Sequence, residues 1–260
     1  MIFHVIGKEG RPAVLLIHGL GCNAERSFAI PAGILSRTYR VITVDLDGYD
    51  GNGTTFTAIH DQAEKIAVFL RQQYEGELYA CLGMSMGGFI AMDMACRCNI
   101  EIQNLILDSG YVPPLPFPKL FSRLVADGFL QILEGHPSSF TLHGMNKLMA
   151  YVFKKSELCP DASWQTIYNS EYSCMKWELP DNLEILNSPS TVFLHGAKEK
   201  FIIKGSRILK ERLPEMKIIC IGDYGHGELM FTYPHDYAEM IASLLQGHDD
   251  AQKTANESHL

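Results

Sequence analysis

Seven short apolar runs alternate with helix-like segments along most of this 260-residue chain. Several of the runs are continuously apolar, whereas a strand with one face in water alternates apolar and polar residues. Continuously apolar strands are typical of a parallel sheet covered by helices on both faces, so the pattern predicts a doubly wound, mostly parallel α/β fold. The candidate strands are Ile2–Ile6, Val14–His18, Arg40–Asp45, Leu78–Leu82, Asn104–Leu107, Thr191–His195 and Lys217–Ile221. The helix candidates are around Ile30–Arg37, Thr57–Tyr74, Gly87–Arg97, Gly205–Leu213 and Pro234–Gln246.

The alternation of strands and helices stops between about Gly110 and Ser190. The proline-rich run Tyr111–Pro118 cannot begin a helix before its last proline, and no strand pattern follows it. We therefore predict a helical lid inserted between two strands of the sheet. Its helix-like stretches are near Lys119–Leu133, Ser138–Lys154, Ala162–Trp177 and Asn182–Leu186. The predicted division is a core of residues 1–110 and 190–247, a lid of residues 111–189 and a disordered tail of residues 248–260.

Charge and cysteine content limit the classes of partner and the compartment. The formal net charge is −8 at pH 7, which disfavours nucleic acid or an anionic membrane surface as the main partner. Residues Met1–Gly10 lack the basic and apolar regions of a secretory signal, and no apolar stretch approaches the length of a membrane span. The seven cysteines are an odd number and lie mostly inside apolar runs, which favours reduced, buried thiols. We therefore expect a cytoplasmic protein without a membrane span.

The pentapeptide Gly83-Met84-Ser85-Met86-Gly87 lies between a run typical of a buried strand and a helix-like segment. A very tight strand-to-helix turn would leave the Ser85 hydroxyl exposed at its apex. The residues two before and two after the serine would crowd each other, and glycine at both positions removes the clash. The helix would direct its N-terminal N–H groups at the serine, where they could hold an oxyanion. One alternative is an ordinary glycine-rich turn. The other is a phosphate-binding loop, and the absence of a following Gly-Lys-Ser/Thr disfavours that loop.

Four motifs, each just after a candidate strand, make the chain resemble the α/β-hydrolase family over most of its length outside the lid. In that family, a turn of this kind carries a nucleophilic serine, and an acid and a histidine follow it in the chain. The resemblance implies a small-molecule substrate, carboxylic ester hydrolysis as the default reaction, and no cofactor or metal. The four motifs are His18-Gly19-Leu20-Gly21, the turn at Ser85, His195-Gly196-Ala197-Lys198-Glu199 and Gly225-His226-Gly227-Glu228.

The resemblance implies catalytic roles for three side chains, with Ser85 as the nucleophile. A serine hydroxyl needs a base within hydrogen-bond reach, and the family's chain order gives that role to His226. The acid that orients the imidazole is expected at Glu199, four residues past His195, although aspartate is the commoner residue there. Asp108, at the end of the preceding candidate strand, is the alternative acid.

Backbone N–H groups are expected to form the oxyanion hole, which needs two donors about 3 Å from the developing negative charge. The resemblance supplies them as the amides of Leu20 and Met86. His18 and His195 match positions where the family's histidines have a structural role.

Two further patterns resemble metal sites, and we expect neither to bind a metal. The acidic run Asp45–Asn52 resembles a calcium-binding loop, but Phe56 occupies the twelfth position, where an EF-hand has glutamate. Cys96 and Cys98 lie at a helix end, without a second cysteine or histidine pair at zinc spacing.

The lid is rich in aromatic residues and methionine and contains no cluster of arginine or lysine. Most of these side chains are expected to pack the lid onto the sheet, and some to line a pocket for an apolar acyl or alcohol group. The sequence thus predicts a serine hydrolase that cleaves a carboxylic ester. Amide, peptide or carbon–carbon bond hydrolysis, or a lyase step, stays open, as does a binding protein with little turnover. Ser85 argues against epoxide or haloalkane hydrolysis, which uses an aspartate nucleophile.

Overall fold

The computed structural model describes residues 1–134, 158–187 and 190–257, with side chains up to Gln246. In this part of the chain seven strands form one sheet, in the order β1-β3-β2-β4-β5-β6-β7. Strand β1 pairs with β3 in the antiparallel sense, and the other neighbouring strands are parallel. The predicted mostly parallel sheet is therefore confirmed. The strands are β1 Ile2–Ile6, β2 Ala13–Ile17, β3 Arg40–Asp45, β4 Glu77–Met84, β5 Glu101–Asp108, β6 Thr191–His195 and β7 Lys217–Cys220.

Helices cover both faces of the sheet, and strand β2 shows how the sequence allows this. Leu15 and Ile17 belong to a buried cluster that includes side chains of helices α2 and α3, whereas Val14 and Leu16 belong to a second cluster with side chains of α1 and α8. Because successive side chains of a strand point to opposite faces, a continuously apolar strand serves both clusters. The described helices are α1 Ala24–Leu35, α2 Ile59–Tyr74, α3 Met86–Arg97, α4 Pro118–Glu134, α5 Trp164–Lys176, α6 Lys200–Arg212, α7 Glu228–Thr232 and α8 Pro234–Glu257, with a 3₁₀ turn at Leu183–Leu186.

Several helix boundaries differ from the predicted ones. Helix α1 begins before Ile30 because the side chain of Asn23 caps it, accepting a hydrogen bond of 3.0 Å from the amide of Arg26. Helix α6 likewise begins before Gly205, and the short helix α7 was not predicted.

The last helix corrects the predicted disordered tail. Helix α8 was expected to end near Gln246, but its backbone stays helical through Glu257, so the prediction of disorder from residue 248 is wrong up to that residue. The segment after Gln246 contains no proline, and extending an existing helix adds one hydrogen bond for each residue that is fixed. Propagation from a packed helix therefore does not require an apolar stripe in the added turns.

The segment between β5 and β6 contributes α4, α5 and the 3₁₀ turn, which match three of the four predicted lid helices. Trp164 ties α5 to α4, because its indole N–H donates a hydrogen bond of 2.7 Å to Asp127. The fourth predicted stretch, Ser138–Lys154, lies outside the described residues. The division into core and lid stays a prediction.

All seven cysteines are unpaired, and Cys220 alone among them is exposed, as predicted for reduced, buried thiols. In the described ranges, no helix combines the length and apolar character that crossing a membrane requires.

Candidate active site

Ser85 lies at the apex of a tight turn between β4 and α3. Its φ of 53° and ψ of −117° lie in a strained region of backbone space for a non-glycine residue. A Cβ on Gly83 would overlap the backbone of Gly87, and a Cβ on Gly87 would overlap the carbonyl of Ile17 in the neighbouring strand. Both glycines are therefore required by close backbone approach, as the pentapeptide predicts.

His226 connects the turn to a carboxylate. Its Nε2 lies 2.9 Å from Ser85 Oγ, and its Nδ1 lies 2.7 Å from Glu199 Oε1. Because an ionised carboxylate only accepts hydrogen bonds, Nδ1 carries the proton, and Nε2 is left free to accept the serine proton. The structure thus brings Ser85, His226 and Glu199 into one hydrogen-bonded chain.

Glu199 is held in place by contacts to its second carboxylate oxygen. Oε2 accepts a hydrogen bond of 2.6 Å from the amide of Gly196 and one of 2.9 Å from the hydroxyl of Ser109. Burial alone would raise the pKa of Glu199, but the hydrogen bond and charge of His226, with these two donors, lower it below the ordinary value. Glu199 is therefore an ionised, oriented partner for the imidazole.

Asp108, the alternative acid, lies nearby but is engaged elsewhere. Asp108 is 2 % exposed. It accepts a hydrogen bond of 2.8 Å from the hydroxyl of Tyr237 and lies 3.3 Å from the Ser109 hydroxyl, whose single proton has its shorter contact with Glu199. Burial and the negative charge of Glu199 raise the pKa of Asp108 to about 6. The structure therefore brings Glu199, and not Asp108, into contact with the imidazole.

The acidic surroundings of His226 decide its proton affinity. Burial alone would lower the pKa of His226, but the hydrogen bond and charge of Glu199 outweigh it. The charges of Asp108 and Glu171 act in the same direction, so the net pKa lies above the ordinary 6.5. An imidazolium formed at this position is stabilised by these three acids.

The predicted oxyanion donors lie beside Ser85. Met86 is the first residue of α3, so its N–H has no acceptor within the helix. A Cβ on Gly19 would lie 3.2 Å from Ser85 Cβ, which shows how closely the loop after β2 approaches the serine. Leu20 and Met86 both line the cavity above Ser85. Both residues therefore border the space next to Ser85, and their role as oxyanion donors stays a prediction.

His18 connects this loop to the end of β3. It is fully buried; its Nδ1 donates a hydrogen bond of 2.8 Å to the carbonyl of Gly19, and its Nε2 accepts one of 3.2 Å from the amide of Leu46. Burial lowers the pKa of His18 to about 4, so the ring is neutral at physiological pH. These contacts give His18 the structural role expected from the sequence.

The cavity above Ser85 has a volume of about 480 Å³ and a mainly apolar lining. Its walls come from the turn at Ser85, from α3, from α4 and α5 of the insertion, and from the loops before α6 and α7. Such a volume suits a small-molecule substrate. The apolar side chains that line it include Phe89, Phe121, Val125, Met175 and Phe231.

Sequence reasoning missed three polar residues of this region. Ser109, which donates to Glu199, and Tyr237, which donates to Asp108, carry no motif of their own. Glu171 lines the cavity from α5, and its spacing from the buried residues Ile167 and Cys174 is a helical signal that could have identified it.

Two carboxylates of the acidic run Asp45–Asn52 have a protein partner. Asp47 and Asp50 accept hydrogen bonds from the amino group of Met1, at 2.8 Å and 2.6 Å. Among the residues that the structure describes, one further group, His60, Asp93 and Cys98, brings possible ligand atoms within 4.8 Å of one another. The Asp93 carboxylate is already engaged, however.

The Asp93 carboxylate contacts the side chains of Arg97, Trp177 and His60. A positively charged guanidinium in direct contact with the carboxylate opposes cation binding there.

Comparison with known proteins identifies the family. A sequence model of the α/β-hydrolase fold matches residues 12–231. A pimeloyl-[acyl-carrier protein] methyl ester esterase of Aromatoleum aromaticum is 25 % identical over 265 residues, which cover 91 % of this chain and 99 % of that protein.

Solved structures show the same fold. A carboxylesterase of Nitrososphaera gargenis superposes with a TM-score of 0.74 at 16 % identity, covering 96 % of this chain and 95 % of that one. A thermophilic esterase of Thermogutta terrifontis gives a TM-score of 0.70 at 20 % identity, covering 95 % and 93 %. The predicted class, a hydrolase acting on ester bonds, agrees with the names of these relatives. The chain therefore belongs to the α/β-hydrolase family.

Proposed function

We propose that this protein is a serine hydrolase that cleaves carboxylic esters of small molecules through an acyl-enzyme. The observation that carries the proposal is the contact of 2.9 Å between Ser85 Oγ and a His226 nitrogen whose other ring nitrogen is held by a carboxylate. That order of hydrogen bonds activates a serine hydroxyl that is otherwise a poor nucleophile. The esterase name of the Aromatoleum aromaticum relative supports the ester as the scissile bond.

The first half of the reaction forms the acyl-enzyme. Ser85 Oγ attacks the ester carbonyl carbon while His226 Nε2 takes the hydroxyl proton. The carbonyl oxygen becomes an oxyanion, which the amides of Leu20 and Met86 hold. His226 then donates the proton to the departing alkoxide, and the alcohol leaves.

The second half releases the acid. His226 takes a proton from water, and the resulting hydroxide attacks the acyl carbon. The second tetrahedral intermediate collapses, and His226 returns the proton to Ser85. Glu199 stays ionised throughout and keeps the Nδ1–H tautomer, which the lowered pKa of its carboxyl supports.

The lining of the cavity supports an apolar acyl or alcohol group. Apolar groups, including phenylalanine, valine and methionine side chains, form most of the surface around Ser85, and their contacts with a substrate gain from the removal of apolar surface from water. Lys198 and Lys200 also line the cavity, but Lys198 is within 4.0 Å of the carboxylates of Asp223 and Glu228. The charge of Lys198 is therefore partly offset by these two acids.

A fluorophosphonate probe tests the proposed function directly. It should label the wild-type protein on Ser85, as located by peptide mapping, and p-nitrophenyl esters should be hydrolysed. Ser85→Ala should lose both properties, whereas Ser243→Ala, at an exposed position on α8, should keep them. Labelling and turnover that survive in Ser85→Ala would overturn the proposal. Labelling without turnover of any ester would favour another reaction on the same residues, which a panel of amides and diketones then identifies.

A further inference from the structure

Helix α5 carries a carboxylate on the face that it packs against the rest of the protein. Its buried side chains include Ile167, Ser170 and Cys174, which are 0 %, 0 % and 5 % exposed. Residues three and four apart on a helix share one face, so Glu171 lies on this same stripe. Glu171 itself is half-buried, and a charged group that is partly removed from water loses hydration free energy unless it is paired.

The polar neighbour on the stripe, Ser170, has a hydrogen-bond partner, whereas Glu171 has none among the residues that the structure describes. The hydroxyl of Ser170 lies 2.9 Å from that of Tyr49. Within the described residues, no donor forms a hydrogen bond or ion pair with the Glu171 carboxylate. Instead, the side chain lines the cavity that also contains Ser85 and His226. A carboxyl for which the described part of the chain supplies no donor therefore lines the cavity that contains Ser85.

The pKa of Glu171 reflects the removal of its carboxyl from water. Burial raises the pKa of Glu171 to about 7, and the charge of His226 acts in the opposite direction. The other charged groups that line the cavity are Lys198, Lys200 and Glu199. Of these, Glu199 is committed to His226 and Lys198 lies near the acids of the adjoining loop. Among the described residues, neither these groups nor Lys200 forms a hydrogen bond or ion pair with Glu171, which lies in a mainly apolar cavity.

We propose that Glu171 is the specificity-determining residue of this cavity and binds a hydrogen-bond donor of the substrate, a hydroxyl or an ammonium group remote from the scissile carbonyl. The preferred substrates are then esters with an apolar body and one such polar end. The proposal rests on the proposed esterase function. A site built to bond a polar group discriminates strongly against the analogue that lacks it, because the buried partner is then left unpaired.

Two matched ester series test this proposal. In one, p-nitrophenyl esters carry acyl chains of equal length that end in methyl, hydroxyl or ammonium. In the other, butyrate esters carry the same three ends on the alcohol and are followed by acid release. The measured quantity is the ratio of kcat/KM between polar-ended and methyl-ended esters. In at least one series the wild type should favour the hydroxyl- and ammonium-ended esters.

Three variants make the test specific. Glu171→Leu should reduce the preference about tenfold or more, the loss expected for a hydrogen bond to a charged group. Glu171→Gln, which retains an accepting oxygen, should preserve the preference for hydroxyl and lose that for ammonium. Glu178→Gln, at an exposed position just after α5, should behave as the wild type. Because Glu171→Gln is close to isosteric, it gives an answer even if the leucine variant does not fold.

The outcomes separate this inference from the function on which it rests. If the wild type shows no preference, or if the preference is unchanged in both Glu171 variants while esters are hydrolysed, the inference is overturned and the esterase function stands. If no ester is hydrolysed and the fluorophosphonate does not label Ser85, both fall together.

Discussion

The Tyr237 hydroxyl donates a hydrogen bond of 2.8 Å to Asp108 Oδ2. Tyr237 belongs to α8, which covers the sheet, and Asp108 is the last residue of β5. The contact therefore joins this helix to the side of the sheet where the parallel strands end and Ser85 lies. It occupies one oxygen of the acid that competes with Glu199 for His226. Glu199 Oε1, at 2.7 Å, contacts the imidazole instead.

This arrangement predicts a large difference between the two acids. Glu199→Gln should lower kcat by about 10⁴-fold, because the amide no longer holds the imidazole in the required tautomer. Asp108→Asn should lower kcat by less than about tenfold, since Asp108 affects His226 only through its charge. Steady-state kinetics with p-nitrophenyl esters measure both. Equal losses in the two variants would mean that Asp108 shares the role of the acid.

The pH dependence should follow the raised pKa of His226. The imidazole accepts the serine proton only when neutral, so kcat/KM should fall as the pH drops through an apparent pKa above 6.5. Asp108→Asn removes one negative charge that raises this pKa, so the acid limb should move to lower pH. Glu171 titrates in the same range, and the apparent value therefore belongs to the coupled groups.

A pH–rate profile of the wild type and Asp108→Asn checks this prediction. An acid limb that stays in place, or moves to higher pH, in the variant would contradict it.

The two glycines that flank Ser85 at a distance of two residues should be intolerant of a side chain. A Cβ at Gly87 would overlap the carbonyl of Ile17, a backbone atom that cannot move without displacing β2. Gly87→Ala should therefore lower the free energy of unfolding by about 1–3 kcal/mol or more. Gly33→Ala is the matched control, because nothing lies within 4 Å of an added Cβ in that helix. There alanine should stabilise by about 0.5–1 kcal/mol; denaturant unfolding measures both changes.

The fold was largely predictable because its strands are continuously apolar. All seven candidate strands are present, and β1, β3 and β6 have the predicted bounds. The side chains of β2 and β6 are almost all buried, which produces a continuously apolar pattern that is easily recognised in the sequence. The length of α8 was not predictable in the same way, since the turns after Gln246 have a polar sequence and follow from propagation of a helix that is already packed.

The candidate site, like the fold, was predictable only in part. The four motifs lie at the carboxyl ends of strands, where a parallel sheet brings them to one edge. This explains why the roles that the family resemblance implied for Ser85, Glu199 and His226 could be assigned from the sequence. Ser109 contacts Glu199 because β5 and β6 are neighbours in the sheet. The sequence alone does not reveal that these two strands are paired. The contact of Tyr237 with Asp108 depends on where α8 packs, so it too required the structure.

His18 should affect turnover through the loop that carries the Leu20 amide. His18→Leu removes the hydrogen bonds to the carbonyl of Gly19 and the amide of Leu46, so both buried groups lose a partner and the unfolding free energy should fall by about 1–3 kcal/mol. Loss of one oxyanion donor costs 10²–10³ in kcat, and a displaced donor should cost part of that, roughly ten- to a hundredfold, with little change in KM.

The pH profile separates this positioning role from a role as a base. Burial lowers the pKa of His18 to about 4, so the ring is already neutral where His226 titrates. The acid limb of kcat/KM should therefore keep its position in His18→Leu while its height falls. A variant that loses stability but retains the wild-type kcat would show that His18 supports the fold alone. A shifted limb would show instead that His18 is coupled to the titration of His226.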